Sequence, residues 1–355
     1  MTPSTSALVA RHATPLLLAG LLVLVAMGFS LTGSSVLSRI GTGIMINVIL
    51  VTGFYIFIGN SGVLSFGHMA FVGMSAYMTA WLTLRPMMKA MMLKGLPEVL
   101  QQAQVEPFLA VLLSALFAAL AALLAGAVIM RLSGIASAIA TFAVLAIFNT
   151  VYSNAGPITG GVGSLVGIPT GLKIWHVTGF AILAVFIAWA HINSASGLAL
   201  RAVRDEEIAA EAVGISGYRV RLLAFVLSAF VCGIAGSLQA RHLGVIRPDA
   251  FYLAATFLAL SMLIIGGVYS LSGAVVGAIL LSVLIEVLVW LEGVGRVGGF
   301  NLAIPGIADF LVAALTCVFL VKRPLGLFGH FELGWPKALP GRDASNMSSR
   351  HETQS

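Results

Sequence analysis

Of the chain's 19 basic and 13 acidic side chains, eight crowd into residues 201–221: Arg201, Arg204, Asp205, Glu206, Glu207, Glu211, Arg219 and Arg221. The whole chain is only 9% charged. At roughly 2.5–3.5 kcal/mol per charge, burying all eight in lipid would cost upward of about 20 kcal/mol, so the segment belongs in water or at an interface. His68, in LSFGHMAFVG, is either a pathway contact or a hydrogen-bonded imidazole packed among Gly67, Ala70, Gly73, Ser75 and Ala76. No second histidine stands at metal-ligand spacing, which argues against a zinc site. Glu286 and Asp309 are acids inside apolar runs; each marks a pathway or an inter-subunit contact, or else an interfacial, paired structural group. Proton coupling would need more relay groups than the chain offers. Gly160, Gly161 and Gly163 could turn backbone donors and acceptors toward a zwitterionic solute, or form a plain flexible loop. The glycine-rich stretch 266–277, GGVYSLSGAVVG, lacks the lysine and following Ser/Thr of a nucleotide loop. The chain has no catalytic constellation, no metal site and no cofactor site of its own, and no ATP-binding signature.

The elements that must position these groups are membrane helices. The chain is 59% hydrophobic with a mean hydropathy of +1.04, well above the usual globular composition. Apolar runs long enough to cross a bilayer recur at about 14–32, 43–59, 64–84, 108–130, 134–152, 174–192, 222–240, 251–269, 272–291 and 303–321. The fold class is therefore an all-α integral membrane bundle of about ten spans: one polytopic domain over 1–330, with a polar tail at 331–355 that is partly disordered. The first run reads as a membrane helix, because no convincing small-x-small cleavage site follows it. Cys232 and Cys317 lie inside apolar runs and read as small packing residues.

Basic residues at the ends of the runs orient helices, which argues against a nucleic-acid partner for the charge of +6. With Arg11 inside, ten spans return Lys322 and Arg323 to the same side, and Arg131 and the 193–221 segment also fall there. Both termini are expected in the cytoplasm. Arg85, Lys89 and Lys94 dissent, so a count of eight or nine spans stays open. Gly59-Asn60-Ser61-Gly62 is a tight turn or a broken helix, and 154–171, with six glycines and two prolines, belongs at the outer mouth.

As one helix from Leu198 to Val213, the charged segment places Leu198, Ala199, Ala202, Val203, Ala209, Ala210 and Val213 on one side. Arg201, Arg204, Asp205, Glu207 and Glu211 fall on the other, Glu206 intrudes on the apolar side, and Arg201 and Asp205 are spaced for an i,i+4 pair. A membrane-surface anchor would carry bulky apolar residues and a lysine-rich face; a shallow alanine surface suits docking on another protein. Gly214 and Gly217 then break the helix.

Ile208-Ala209-Ala210 followed by Gly214 resembles the EAA loop of ATP-binding-cassette importer permeases, which docks on the ATPase. The fuller string Arg201-Ala202-Val203-Arg204-Asp205, with LSFGHMAFVGMSAY (64–77), ITGGVGSLVGIP (158–169) and IIGGVYSLSGAVVGAILLSVLIE (264–286), resembles the branched-chain amino acid permease family, LivM-like branch, over about residues 43–325. Ile208 stands where the name-giving glutamate of the wider motif would be, and GGVGSL replaces an expected GGSDGL-like block. The resemblance implies a permease paired with a second, LivH-like permease, two cytoplasmic ATPases that use ATP, and an extracytoplasmic solute-binding protein, in a bacterial inner membrane. It implies ATPase coupling at Arg201, Arg204, Asp205, Ala209, Ala210, Glu211 and Gly214, and a substrate pathway touching His68, Gly160, Gly161, Gly163 and Glu286. Urea or short amides are alternative cargoes. An ion-coupled secondary transporter and a membrane subunit of a redox or proton-pumping enzyme are rival readings.

Overall fold

The computed structural model describes residues 5–294, 296–297, 300–301, 306–323, 326–329 and 331–333; the polar tail from 334 onward lies outside the described residues. The described chain is helical almost throughout: α1 (Thr5–Leu31), α2 (Ser35–Ser61), α3 (His68–Thr83), the short α4 (Pro86–Met92) and α5 (Glu98–Gln102), α6 (Pro107–Ile129), α7 (Gly134–Asn154), the single turn α8 (Gly156–Thr159) and α9 (Ile174–Ile192). There follow α10 (Ala195–Asp205), α11 (Glu207–Ala212), α12 (Gly217–Leu243), α13 (Leu253–Gly266), α14 (Leu271–Val294) and α15 (Ile307–Lys322). A 3-10 turn (Pro248–Phe251) leads into α13 and with it makes a 19-residue apolar span, Pro248–Gly266; two minimal antiparallel ladders complete the described elements: β1 (Leu165–Val166) against β2 (Val245–Ile246), with Leu165 opposite Ile246, and β3 (Arg296–Val297) against β4 (Phe300–Asn301).

Among the described residues, eight helices are long and apolar enough to cross a membrane. The remaining expected spans, 64–84 and 303–321, correspond to α3 and α15, each 16 residues long. α3 needs no full bilayer length, because 14 of its 16 residues are buried by neighbouring helices rather than bathed in lipid. The Gly59–Gly62 question resolves as a break: α2 stays helical through Ser61, Gly62 ends it with φ +70°, and residues 62–67 are non-helical. Only a residue without a Cβ adopts that left-handed C-cap without strain.

The centre is α12, packed on α2, α3 and α6. Small residues allow the approach: a Cβ on Gly236 would collide with the Val72 carbonyl of α3. Hydroxyls join the same helices. Ser75 Oγ donates to Gly233 O at 2.6 Å, and Ser228 Oγ to Gly53 O at 2.7 Å. Cys232 is buried in this core, as a packing residue should be, whereas Cys317 is exposed on α15.

Contacts sort the connections into two ends. At one end lie the close of α2, the α10–α11 segment, the α13–α14 turn and the strap after α15. Arg204 Nη1 donates to Gly59 O at 3.1 Å, and the amides of Leu327 and Phe328 donate to Ile265 O and Gly266 O. At the other end, Ile168 N donates to Gly244 O, Gly95 N to Pro157 O, and Trp81 Nε1 to Ile158 O. The helices α1, α2, α3, α6, α7, α9, α12, α13, α14 and α15 run alternately between these ends. The 154–171 segment sits opposite the charged segment.

Candidate functional site

The charged segment is not the single helix expected over 198–213. Glu206 is extended (φ −156°, ψ 102°) and separates α10 from α11. The helix-forming sequence alone does not require that break; the attachments on either side of it do. Ser194 caps α10, accepting from Gly197 N at 3.2 Å while donating to His191 O at 2.6 Å. Gly197, Leu200 and Val203 turn inward. Arg201 Nη2 donates to Ile192 O at 2.9 Å, satisfying a carbonyl at the end of α9. The expected Arg201–Asp205 pair therefore does not form.

Asp205 instead pairs with its neighbour, Oδ1 lying 2.9 Å from Arg204 Nη2. Arg204 is a junction: besides Asp205 it holds the carbonyl of Gly59 at the close of α2, and its guanidinium lies 5.1 Å from the ring centroid of Tyr269 in the α13–α14 turn. On the far side of the break, Glu207 Oε2 takes a 2.7 Å bond from Arg221 of α12, whose side chain is nearly buried. α11 closes with Ile215 N on Ala210 O and Gly214 N on Glu211 O, Gly214 standing at φ +86°. That pair of bonds is the Schellman pattern, with Gly214 in the left-handed position.

The faces differ from the helical wheel accordingly. Ala210, expected on the docking surface, is buried against its own chain, as is Val203. Leu198, Ile208 and Val213 are 56%, 79% and 75% exposed, and Ala202, Ala209 and Glu211 are exposed with them. The outward-facing side chains of the segment are thus mainly apolar, with the carboxylates of Glu206 and Glu211 exposed among them.

Next to this layer, the strap after α15 caps α14. Glu332 accepts from the amides of Leu271 and Ser272 and from Ser272 Oγ, at 2.5, 3.1 and 2.7 Å, a carboxylate at a helix N-terminus. Burial raises its pKa, and these hydrogen bonds oppose the rise. The 266–277 stretch is the small-residue turn the sequence predicts: Gly266 faces Gly273 and Gly277 with no room for a Cβ.

The proposed pathway residues are not brought together. His68 is wholly buried near the end that carries the charged segment, with Nδ1 2.8 Å from Ser65 Oγ and its ring 5.1–5.5 Å from those of Phe54, Phe57 and Phe225. That is a packed imidazole in an aromatic cage. Gly160, Gly161 and Gly163 lie at the opposite end, where Gly160 N is bonded to Gly156 O and Gly161 N to Thr159 Oγ1. Those two amides are spent inside the loop. Glu286 is exposed on α14, in an apolar furrow with Phe29, Ile40, Val283 and Trp290. The side chain of Asp309 lies outside the described residues. The sequence reading missed Gly59, Tyr269 and Arg221 as partners of the charged segment; Arg221 was visible within the cluster, but nothing in its spacing gave Glu207 as its mate.

A family model described as the branched-chain amino acid transport system / permease component matches residues 36–320. The chain is similar to the high-affinity branched-chain amino acid transport system permease protein LivM of Salmonella typhimurium, 27% identical over 345 residues, covering 88% of this chain and 74% of that protein. It is also similar to LivH of the same organism, 35% identical over 162 residues, covering 45% of this chain and 47% of that one. Likeness to BraD of Pseudomonas aeruginosa is 28% over 151 residues, 42% and 44% of the two chains. No solved structure matches it.

Proposed function

Because the chain belongs to the family of branched-chain amino acid transport system permease components, we propose that it is the transmembrane permease subunit of an ATP-driven importer for branched-chain or related hydrophobic amino acids. It works in a bacterial inner membrane with a second, LivH-like permease, two cytoplasmic ATPases and an extracytoplasmic solute-binding protein. Both termini and the α10–α11 segment face the cytoplasm, and ATP is used only by the partner ATPases. The LivM and LivH relatives are named as permease proteins of one kind of transport system, which supports the pairing of two permeases.

The observation that carries the coupling role is the double character of α10–α11. Its arginines and Glu207 are fastened to α9, α2 and α12, while Leu198, Ile208, Ala209 and Val213 stand outward. Such a face seated on an ATPase would pass the movement of that ATPase to three core helices at once, shifting the balance between outward- and inward-open states. The permease does no covalent chemistry; it supplies two conformations of differing stability.

The test is Ala209→Trp, which adds bulk to the exposed face and leaves the buried Ala210 alone. ATPase affinity should fall by at least about tenfold, a loss of about 1.4 kcal/mol or more of docking energy, so that ATPase subunits copurify in strongly reduced yield and solute-stimulated hydrolysis falls with them. Unchanged copurification and unchanged stimulation would remove this face from the ATPase contact.

A further inference from the structure

Beyond the α10–α11 layer, one cavity is lined by a recessed arginine whose Nε has no hydrogen-bond partner. It opens at the far end of the bundle, between the start of α2, the end of α12 and the residues leading into α9, and has a volume of about 380 Å³. That size falls in the range of small-molecule sites, about 300–1,000 Å³. Arg39, Arg241 and His242 line it, together with the hydroxyl-bearing Ser38 and Thr170 and the apolar Leu172. No acidic side chain is among its lining residues.

Arg241 is the informative residue. It is 9% exposed, and its Nε is buried with no hydrogen-bond partner. Among the described residues it enters no ion pair. The one carboxylate that acts on it electrostatically, Glu106, is engaged in capping α6 through the Leu109 amide. An Nε kept from water without a partner is costly, and the remaining guanidinium nitrogens, which are not among the buried unpartnered atoms, are left to the cavity that the residue lines. Its planar fork suits a carboxylate or phosphate group.

We propose that this cavity receives the carboxylate of a small solute at the outer face, with Arg241 as the anchoring cation, Arg39 and His242 as flanking donors, and Leu172 against the apolar part. The proposal rests on the importer reading for its cargo, an amino acid, and extends it with a subsite for the carboxylate end. A concave site with a recessed arginine suits a small solute better than a flat protein contact, in which the cations would stand at the surface.

The experiment uses the full chain, with whatever partners copurify, in nanodiscs of neutral phosphatidylcholine. Radiolabelled leucine is the probe, unlabelled leucine and leucinamide are the competitors, and bound lipid is read by native mass spectrometry. Leucine should bind and leucinamide, lacking the carboxylate, should fail to displace it. Arg241→Gln should weaken binding by at least about tenfold, Arg241→Lys by less, and the exposed Arg39→Gln by about threefold. Arg39→Gln keeps the test decisive if the Arg241 variants fold poorly.

Equal competition by leucinamide, or leucine binding indifferent to both arginines, overturns the proposal. Phosphatidylglycerol, added to the discs and retained by the wild type but lost in Arg241→Gln while leucine binding is unchanged, would assign the cavity to a lipid phosphate instead. Leucine binding that is absent without the solute-binding protein, together with loss of that protein's docking in Arg241→Gln, would make the site a protein contact and equally overturn it. ATPase copurification is scored separately: its absence counts against the importer reading, and the leucine assay stands without it.

Discussion

Two arginines at opposite ends of the bundle, Arg204 and Arg241, are held in opposite ways. At the coupling end, Arg201, Arg204 and Arg221 each spend their donors on this chain's own oxygens: Ile192 O, Gly59 O with Asp205, and Glu207. At the far end, Lys89 does the same, its buried amine donating to Leu100 O at 2.9 Å and to Ala103 O. Arg241 there is left facing a cavity. A cation bonded to groups on another helix ties elements together, whereas a recessed one with an unpartnered nitrogen has donors to spare. On the proposed function, the first arrangement would transmit movement and the second would receive a solute.

The sharpest way to break this contrast is at Arg204. Arg204→Ala removes a charged hydrogen bond to the end of α2, worth about 1.5–3 kcal/mol, and the stacking on Tyr269. ATPase subunits should still copurify, since the exposed face is untouched, but solute-stimulated hydrolysis should fall about tenfold or more. Arg204→Lys should restore little, because an ammonium can neither stack in the same way nor present a planar fork. Full stimulation in Arg204→Ala would mean that the stitching is packing without transmission.

A smaller and more local effect is expected from Lys89→Met, which keeps the bulk of the side chain and leaves two carbonyls unanswered. Amide exchange over residues 94–103, corrected for intrinsic rate, should quicken by about tenfold, in line with about 1–3 kcal/mol for an unmade bond. Hydrolysis at the coupling end should not change. Burial holds the Lys89 amine below the usual lysine range. Its folded-state value is depressed, so its contribution is complete above the ordinary lysine range and is lost as pH falls through the depressed value. Protection of 94–103 in the wild type should therefore grow with pH, and Lys89→Met should abolish that trend. A coupling-end response to this substitution would show that the two ends do not act separately.

Much of the architecture was legible because lipid imposes a crude rule: runs near 20 apolar residues become helices, as α2, α6 and α14 do. The turn at 266–277 was legible because small residues permit only close packing there. The Glu206 break was not, since the run from Leu198 to Val213 has good helix propensity and the interruption comes from Arg204 and Glu207 being held by different helices. Ala210 was placed outward for the same reason, because a wheel drawn for one straight helix has no kink. Arg241 and His242 were passed over as charges ending an apolar run. The available signal was their side: with Arg11 inside, the close of the seventh span carries cations where orientation alone asks for none.

The mildest expected effect sharpens the contrast by showing what Arg204 does not depend on. Asp205 is 68% exposed, and an exposed ion pair is worth about 0–1 kcal/mol. Asp205→Asn keeps an oxygen that can accept from Arg204 Nε and loses only the charge. The guanidinium retains Gly59 O and the ring of Tyr269, so stimulated hydrolysis should change by less than about threefold. The difference should shrink in high salt, where the screening length drops to about 3 Å at 1 M. If Asp205→Asn instead matched Arg204→Ala, the essential partner of Arg204 would be the surface carboxylate and not the end of α2. Movement would then have no direct route from the exposed face into the core.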